Sequence, residues 1–385
     1  MTVEIGSRLY DLIVLGQTRS DQIEAVRNSI EEITRSFGLR MGHEIAFSTN
    51  PENLDLDQKR SCAVAYFAGE NSSDNHLSEL IQRSIPILPI VSSKGLVSRE
   101  LPTILQPINC LFYDEQSPLR IATAMLECVG LLPRQRRVFL SYRRDEAREA
   151  AIQLFDSLTS HLFDVFLDTH KIGLAEDFQA VLWHRLCDSD LLVMLDTPGY
   201  FDSRWTSAEF GRALAKGISV LRIGWPDSTP SARTATVSRA ELLPTEVDKE
   251  TGRIDTSALD RICWQVEAVR SQSHAVRHLN LISTLRDSIE RVGGKFNGIG
   301  PRKSISITLA NGKNLFVYPT VGVPTSTTMH EATTFDSLNS VAVAYDHIGL
   351  HPEWQSHLDW LGTNIQSARW VKASEAAWQF ADWQG

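Results

Sequence analysis

Four short apolar runs constrain this chain more than any other feature: VFLSY (138–142), FDVFLD (163–168), DLLVML (190–195) and ISVLRI (218–223). Each has the length of a strand and is almost continuously apolar, the pattern of strands covered on both faces. Between them the periodicity turns helical. Ala147, Ala151, Leu154 and Leu158 mark one helix face, and further helical stretches fill 176–187 and 205–216. Strands alternating with helices specify an α/β fold with a doubly wound parallel sheet, in which ligands sit outside the carboxyl ends of the strands.

The same alternation occurs earlier. LYDLIVLG (9–16) reads as a buried strand, Ile23, Val26, Ile30, Ile33 and Phe37 as a helix face, and Gly38 as its stop. HEIAFST, CAVAYFAG, a helical stretch from Ser73 to Ser84, and IPILPIVS follow. Residues 1–130 are therefore expected to form a separate small α/β domain, and the basic, proline-bearing LLPRQRR (131–137) a linker. Ser-Glu-Leu (78–80) followed by PILPIV (86–91) loosely echoes the later AEF followed by ISVLRI, although GQTRS stands where the second domain has SYRR. This suggests a degenerate copy or a related flavodoxin-like domain with a sensing role.

Beyond the second sheet, residues 227–256 are rich in Ser, Thr, Pro and charge and read as a loop or excursion. A helical pattern then runs from Ser257 to Val292, either as two helices broken near Ser271 to Ser273 or as a connector between domains. Residues 293–385 read as a small α+β module, with a hairpin turning at Asn311-Gly312. Trp354, Trp360, Trp370, Trp378 and Trp383 crowd its end, as an aromatic core or as a partner surface.

Composition narrows the classes of partner. A formal net charge of −9 argues against a broad nucleic-acid or anionic-membrane surface. The cysteines Cys62, Cys110, Cys128, Cys187 and Cys263 form no C-x-x-C pair and sit mostly in apolar runs, as buried reduced thiols do. No run approaches the roughly 20 apolar residues that span a bilayer, and no signal peptide is visible. The expected location is the cytoplasm.

Four polar segments should converge at the carboxyl edge of the second sheet: SYRR (141–144), DTHKIGLAEDF (168–178), DTPGYFDSRW (196–205) and IGWPD (223–227). In this order and spacing they resemble the Toll/interleukin-1 receptor (TIR) domains. VFLSYRRD matches the family's opening strand, FDVFLDTHKI with EDF its second strand and BB loop, and YFDSRWTSAEF its Y-x-x-S-x-W-x-x-x-E segment. The resemblance is strong over 136–226 and extends loosely to Val292, giving an expected TIR domain at 134–292 with a flavodoxin-like sheet.

What the resemblance implies is divided. Some TIR domains only associate, whereas others cleave NAD+ between nicotinamide and ribose and carry a glutamate where Glu209 stands, four residues after Trp205. Loss of nicotinamide leaves a ribosyl oxocarbenium ion, and a fixed carboxylate stabilises charge that develops only in the transition state. Glu209 is thus the expected catalytic residue. Arg143 and Arg144 would border the pocket, meeting pyrophosphate or holding the loop, and Tyr142 and Trp205 would stack or pack around nicotinamide. Asp168 is expected to fix the BB loop, and Lys171 to contact phosphate. His170 lacks a second histidine at ligand spacing, so no metal is expected. NAD+ enters as substrate and no cofactor is implied. The BB loop departs from the family in having Ala175 where a glycine is common, with Gly173 two positions earlier.

By the same resemblance, catalytic TIR domains need self-association, which heterologous contacts can extend into filaments. A TIR domain between two other modules resembles prokaryotic immune effectors that deplete NAD+ once a partner or small-molecule signal is sensed. A second possibility is synthesis of a cyclic ADP-ribose-type messenger, and a third a non-enzymatic scaffold.

Overall fold

A computed structural model describes residues 8–57, 59–69, 76–114, 117–132, 135–167, 176–335 and 340–383. The chain forms two compact units: Pro133–His274 with Ile348–His351, and Arg8–Leu132 with Ala275–His347 and Pro352–Gly385.

In chain order the first elements are β1 (Tyr10–Gly16), α1 (Ser20–Arg35), β2 (Ile45–Thr49), β3 (Ser61–Phe67), α2 (Leu77–Gln82), β4 (Ile87–Val91), the single turn α3 (Val97–Glu100), β5 (Leu111–Phe112) and α4 (Ser117–Cys128). The strands pair in parallel in the order β2-β1-β3-β4-β5. Val26 and Ile30 of α1 are fully buried, as the helical periodicity requires.

Next come β6 (Arg137–Ser141), α5 (Arg144–Ser160), β7 (Asp164–Leu167), α6 (Glu176–Asp188), β8 (Leu191–Asp196), α7 (Arg204–Ala215), β9 (Ser219–Gly224) and β10 (Ser238–Glu241). They form a second parallel sheet in the order β10-β9-β8-β6-β7. Both sheets thus share one wiring, the flavodoxin-like 2-1-3-4-5 order. β10 corrects the expectation for 227–256: the region is not merely a loop, because it supplies the fifth strand. SRAE is a short edge strand whose only buried residue is Ala240, so no apolar run announces it.

The amino-terminal end of this second sheet is tied down by buried charge. Fully buried Arg136 and Arg270 both hold Glu267, Arg270 at 2.9 Å. Arg270 also approaches Asp190 at 3.9 Å, and Arg137 approaches it at 3.6 Å. These groups belong partly to α8 (Thr256–Arg291), which runs unbroken through Ser271 and Ser273. Neither serine interrupts the helix: Ser271 donates to the Ala268 carbonyl, and Ser273 to the Asp190 carbonyl at 3.0 Å.

The remaining elements are β11 (Lys295–Ile299), β12 (Ile305–Thr308), β13 (Asn314–Thr320), α9 (Ser326–Phe335), β14 (Ser340–Tyr345), α10 (Pro352–Asn364), β15 (Arg369–Lys372) and α11 (Ala376–Ala381). The sheet β11-β12-β13-β14-β15 is antiparallel through β13 and parallel beyond it. Its β12–β13 hairpin turns where Asn311-Gly312 placed it. Leu309 donates to the Lys313 carbonyl, and Gly312 takes φ +81°, the left-handed position of a three-residue loop. Within this unit Leu281, Ile282, Leu285 and Ile289 of α8 join one core with Ile13, Val64 and Leu80 on one side and Ile305, Val317 and Ala344 on the other. The tryptophans differ in burial. Trp383 is buried, Trp354 and Trp370 are half-buried, and Trp360 and Trp378 are 61% and 60% exposed.

The cysteines are free thiols, Cys110 half-buried and the other four buried. Burial pushes the Cys128 thiol up to about 12 and the Cys263 thiol up to about 11.

Candidate active site

In the order β10-β9-β8-β6-β7 the chain leaves β6 for one neighbour and then crosses to the other, so the switch point lies between β6 and β8. Crevices at such points form outside the carboxyl ends of the two strands. Ser141 is the last residue of β6, and Asp196 the last of β8. The segment after β8 makes a tight turn at Tyr200–Asp202 and enters α7 at Arg204. Ser203 caps that helix, its side chain accepting from the backbone amides of Trp205 at 3.3 Å and Thr206 at 3.5 Å. Trp205 and Glu209, four residues apart, share one helix face.

Glu209 is 8% exposed. Ser141 Oγ donates to Glu209 Oε2 at 2.5 Å and lies 2.7 Å from the Tyr200 hydroxyl. Tyr200 is fully buried, and burial together with the negative charge of Glu209 pushes its phenol well above the ordinary range. Thr206 donates to the Tyr200 carbonyl, and Tyr200 packs edge-to-face on Phe201, which does the same on Phe210. The residues that anchor the carboxylate therefore come from β6, the turn after β8 and α7.

The other expected residues are placed as follows. Arg143 immediately precedes α5, and its side chain pairs with Glu146 at 2.9 Å and Asp202 at 3.7 Å. Glu146 Oε2 accepts from the Gly199 amide at 3.0 Å, and a Cβ on Gly199 would fall 1.4 Å from Arg143 Nη1. Arg143 thus holds the loop after β6 to the loop after β8. Arg144 begins α5 and is half-buried. Tyr142 is buried in an apolar cluster with Ala147, Leu195 and Ile223, so it packs beneath the edge. Trp205 is half-buried, with the Arg204 guanidinium 4.5 Å above its ring. Asp168, His170, Lys171, Gly173 and Ala175 lie outside the described residues.

Two participants were not singled out from the sequence: Ser141 and Tyr200. Both stand inside the motifs already noted, the serine of SYRR and the tyrosine of YFDSRW, but only the fold puts their hydroxyls beside one carboxylate. A third feature is the buried Arg222, which reaches from β9 to Asp196 at 2.5 Å and to Glu241 at 2.5 Å. Burial raises the Asp196 carboxyl more than Arg222 lowers it. Among the described residues no group of three His, Cys, Asp or Glu side chains could hold a metal ion.

Fold and site together define the class: a flavodoxin-like α/β domain with a buried carboxylate anchored at its switch point. Within that class the family model described as the TIR domain matches residues 138–254, and this part of the chain is a TIR domain. No curated protein matches the chain. Among solved structures, the chain is similar to tagatose-6-phosphate ketose/aldose isomerase from Escherichia coli, at 13% identity over 71% of this chain and 83% of that one. The TM-score of 0.22 is too low for this likeness to bear on fold or function. Among the described residues no helix is long and apolar enough to cross a membrane.

Proposed function

We propose that the TIR domain is an NAD+ nucleosidase, cleaving the bond between nicotinamide and ribose with Glu209 as its catalytic carboxylate. The observation that carries this reading is the withdrawal of Glu209 from solvent onto Ser141 at the sheet's switch point. Glutamate on a helix normally stays in water, and a surface used only for association has no need of one held in this way. In the reaction, nicotinamide leaves with the bonding electron pair and the ribose becomes an oxocarbenium ion. Glu209 stabilises that cation, and water adds at the anomeric carbon, losing a proton to give ADP-ribose. Trp205, Arg143 and Arg144 border the site, and NAD+ is consumed as substrate.

TIR domains commonly self-associate, and activity is proposed to follow assembly through this domain, extended into filaments by contacts that do not close. The biological reading is a cytoplasmic antiviral effector that depletes NAD+ when a partner protein or small-molecule signal engages the flanking segments. The test is chromatography of NAD+ incubated with the full chain at concentrations that drive assembly, comparing wild type with Glu209→Gln. Nicotinamide release by wild type and its loss by at least about 100-fold in the variant are expected, from removal of one charge-stabilising group. An assembled wild type that releases no nicotinamide refutes the enzyme, and an active Glu209→Gln refutes the site. ADP-ribose as co-product supports depletion, whereas a cyclic product assigns the domain to messenger synthesis.

A further inference from the structure

We infer that Tyr200 and Ser141 are positioning residues for Glu209, a buried chain of hydroxyls that aims the carboxylate before substrate arrives. The inference rests on the reading of Glu209 as the catalytic group, and it adds residues that the family motif alone does not assign to that task.

The direction of the chain follows from counting protons. An ionised carboxylate can only accept, so Ser141 commits its one hydroxyl proton to Glu209 Oε2, at the 2.5 Å separation of a charge-assisted bond. The Ser141 oxygen can then only accept from Tyr200, whose hydroxyl stands 2.7 Å away. Burial beside a negative charge keeps the phenol protonated and hence a donor. Donation therefore runs from Tyr200 to Ser141 to Glu209, each bond polarising the next.

Geometry makes the chain rigid. Ser141 is fixed at the end of β6, where it pairs in register with Met194 of β8. Tyr200 is fully buried between Phe201 and the sheet edge, and its carbonyl accepts from Thr206, one turn ahead of Glu209 on α7. The donor turn and the helix carrying the carboxylate are thus locked to each other. The other charges near this chain are Asp196, which adds to the negative field at Tyr200, and Arg222, which pairs with Asp196. Among the described residues Ser141 bonds Oε2 directly, and Tyr200 bonds Ser141 in turn, so the hydroxyl chain is a direct constraint on Oε2.

The experiment compares full-length wild type with Ser141→Ala, Tyr200→Phe and the double variant, each first shown to melt as wild type does. If the inference holds, kcat for nicotinamide release falls roughly 10- to 100-fold in Ser141→Ala, the value of a hydrogen bond to a charged group, while KM for NAD+ stays within about two-fold. Tyr200→Phe loses less, because it acts through the serine, and the double variant is no slower than Ser141→Ala alone. The acid limb of the pH–rate profile moves to higher pH in both single variants, since each removes donation to the charged form. Losses that add in the double variant, or an acid limb that does not move, overturn the inference. A second measurement does not need turnover: carbon-13 NMR titration of the Glu209 carboxyl, assigned by its absence in Glu209→Gln. A midpoint that rises in Ser141→Ala supports the chain even if wild type cleaves no NAD+, in which case the nucleosidase reading alone fails. A midpoint unchanged by either variant overturns the chain whatever the activity.

Discussion

Replacing Asp190 by Asn removes the centre of the charge cluster beneath the TIR sheet while keeping the side chain's shape. Asp190 is fully buried, and its backbone amide and carbonyl are bonded to Arg137 and Ser273. Burial alone would raise its carboxyl. Arg137, His274 and Arg270 outweigh burial and hold it well below the ordinary 3.8. The Arg137 amide bonds Oδ2 at 3.1 Å, whereas His274 Nδ1 stands 3.8 Å away, too far for a hydrogen bond, so its influence is through space. Removing one partner from a buried ionic cluster leaves the others uncompensated and destabilises by about 3–5 kcal/mol, with Asn at the lower end because it can still accept from the Arg137 amide. For a domain of this size about 3 kcal/mol lowers the melting temperature by roughly 6–12 °C. The sign of the pH dependence is also determined. A carboxyl held below its unfolded value contributes fully above about pH 4 and progressively less as acidity increases. Calorimetry of the full chain between pH 3 and 7 should therefore show a wide gap between wild type and Asp190→Asn at neutral pH, narrowing below about pH 4. A variant that melts within about 1 °C of wild type at pH 7, far under the shift expected of a buried ionic cluster, would show that the cluster is not a stabilising unit.

Further outcomes follow from other sites. Arg222→Met leaves Asp196 buried without its cation and should destabilise by about 3 kcal/mol at neutral pH. Because burial already raises Asp196, the deficit should shrink as pH falls and the carboxyl protonates, read from melting temperatures at pH 5 and 7. Ser203→Ala removes the cap of α7 and should cost about 1 kcal/mol in chemical denaturation, with Ser203→Asp restoring it; a neutral alanine variant refutes the capping role. Under native conditions a thiol-disulfide reagent should modify Cys110 first, since it is the half-buried thiol, with Cys128 and Cys263 reacting only on unfolding. Mass mapping that finds Cys128 modified first would contradict the burial.

The TIR domain was legible because its strands are short, apolar and separated by helices of ordinary length, so local pattern and global topology agree. The position of Glu209 was legible for a similar reason: its motif is a local i,i+4 relation to Trp205 on one helix. The edge strand β10 was not legible, because a strand paired on one side and wet on the other has no apolar run to reveal it. Nor was the continuity of α8, where Ser271 and Ser273 look like a break. Their hydroxyls instead bond carbonyls, Ser271 to Ala268 within the helix and Ser273 to Asp190 beyond it.

Sequence by itself determined the alternation of elements, the parallel sheets, the hairpin at Gly312 and the placing of a carboxylate on the helix after β8. Tertiary structure alone decided what that carboxylate touches. Ser141, Tyr200 and Glu209 are separated by 59 and 9 residues along the chain, yet their polar atoms form one bonded chain. Periodicity reports which way a side chain faces relative to its own element, whereas a hydrogen bond between elements depends on sheet order and register, which emerge only when the strands pair.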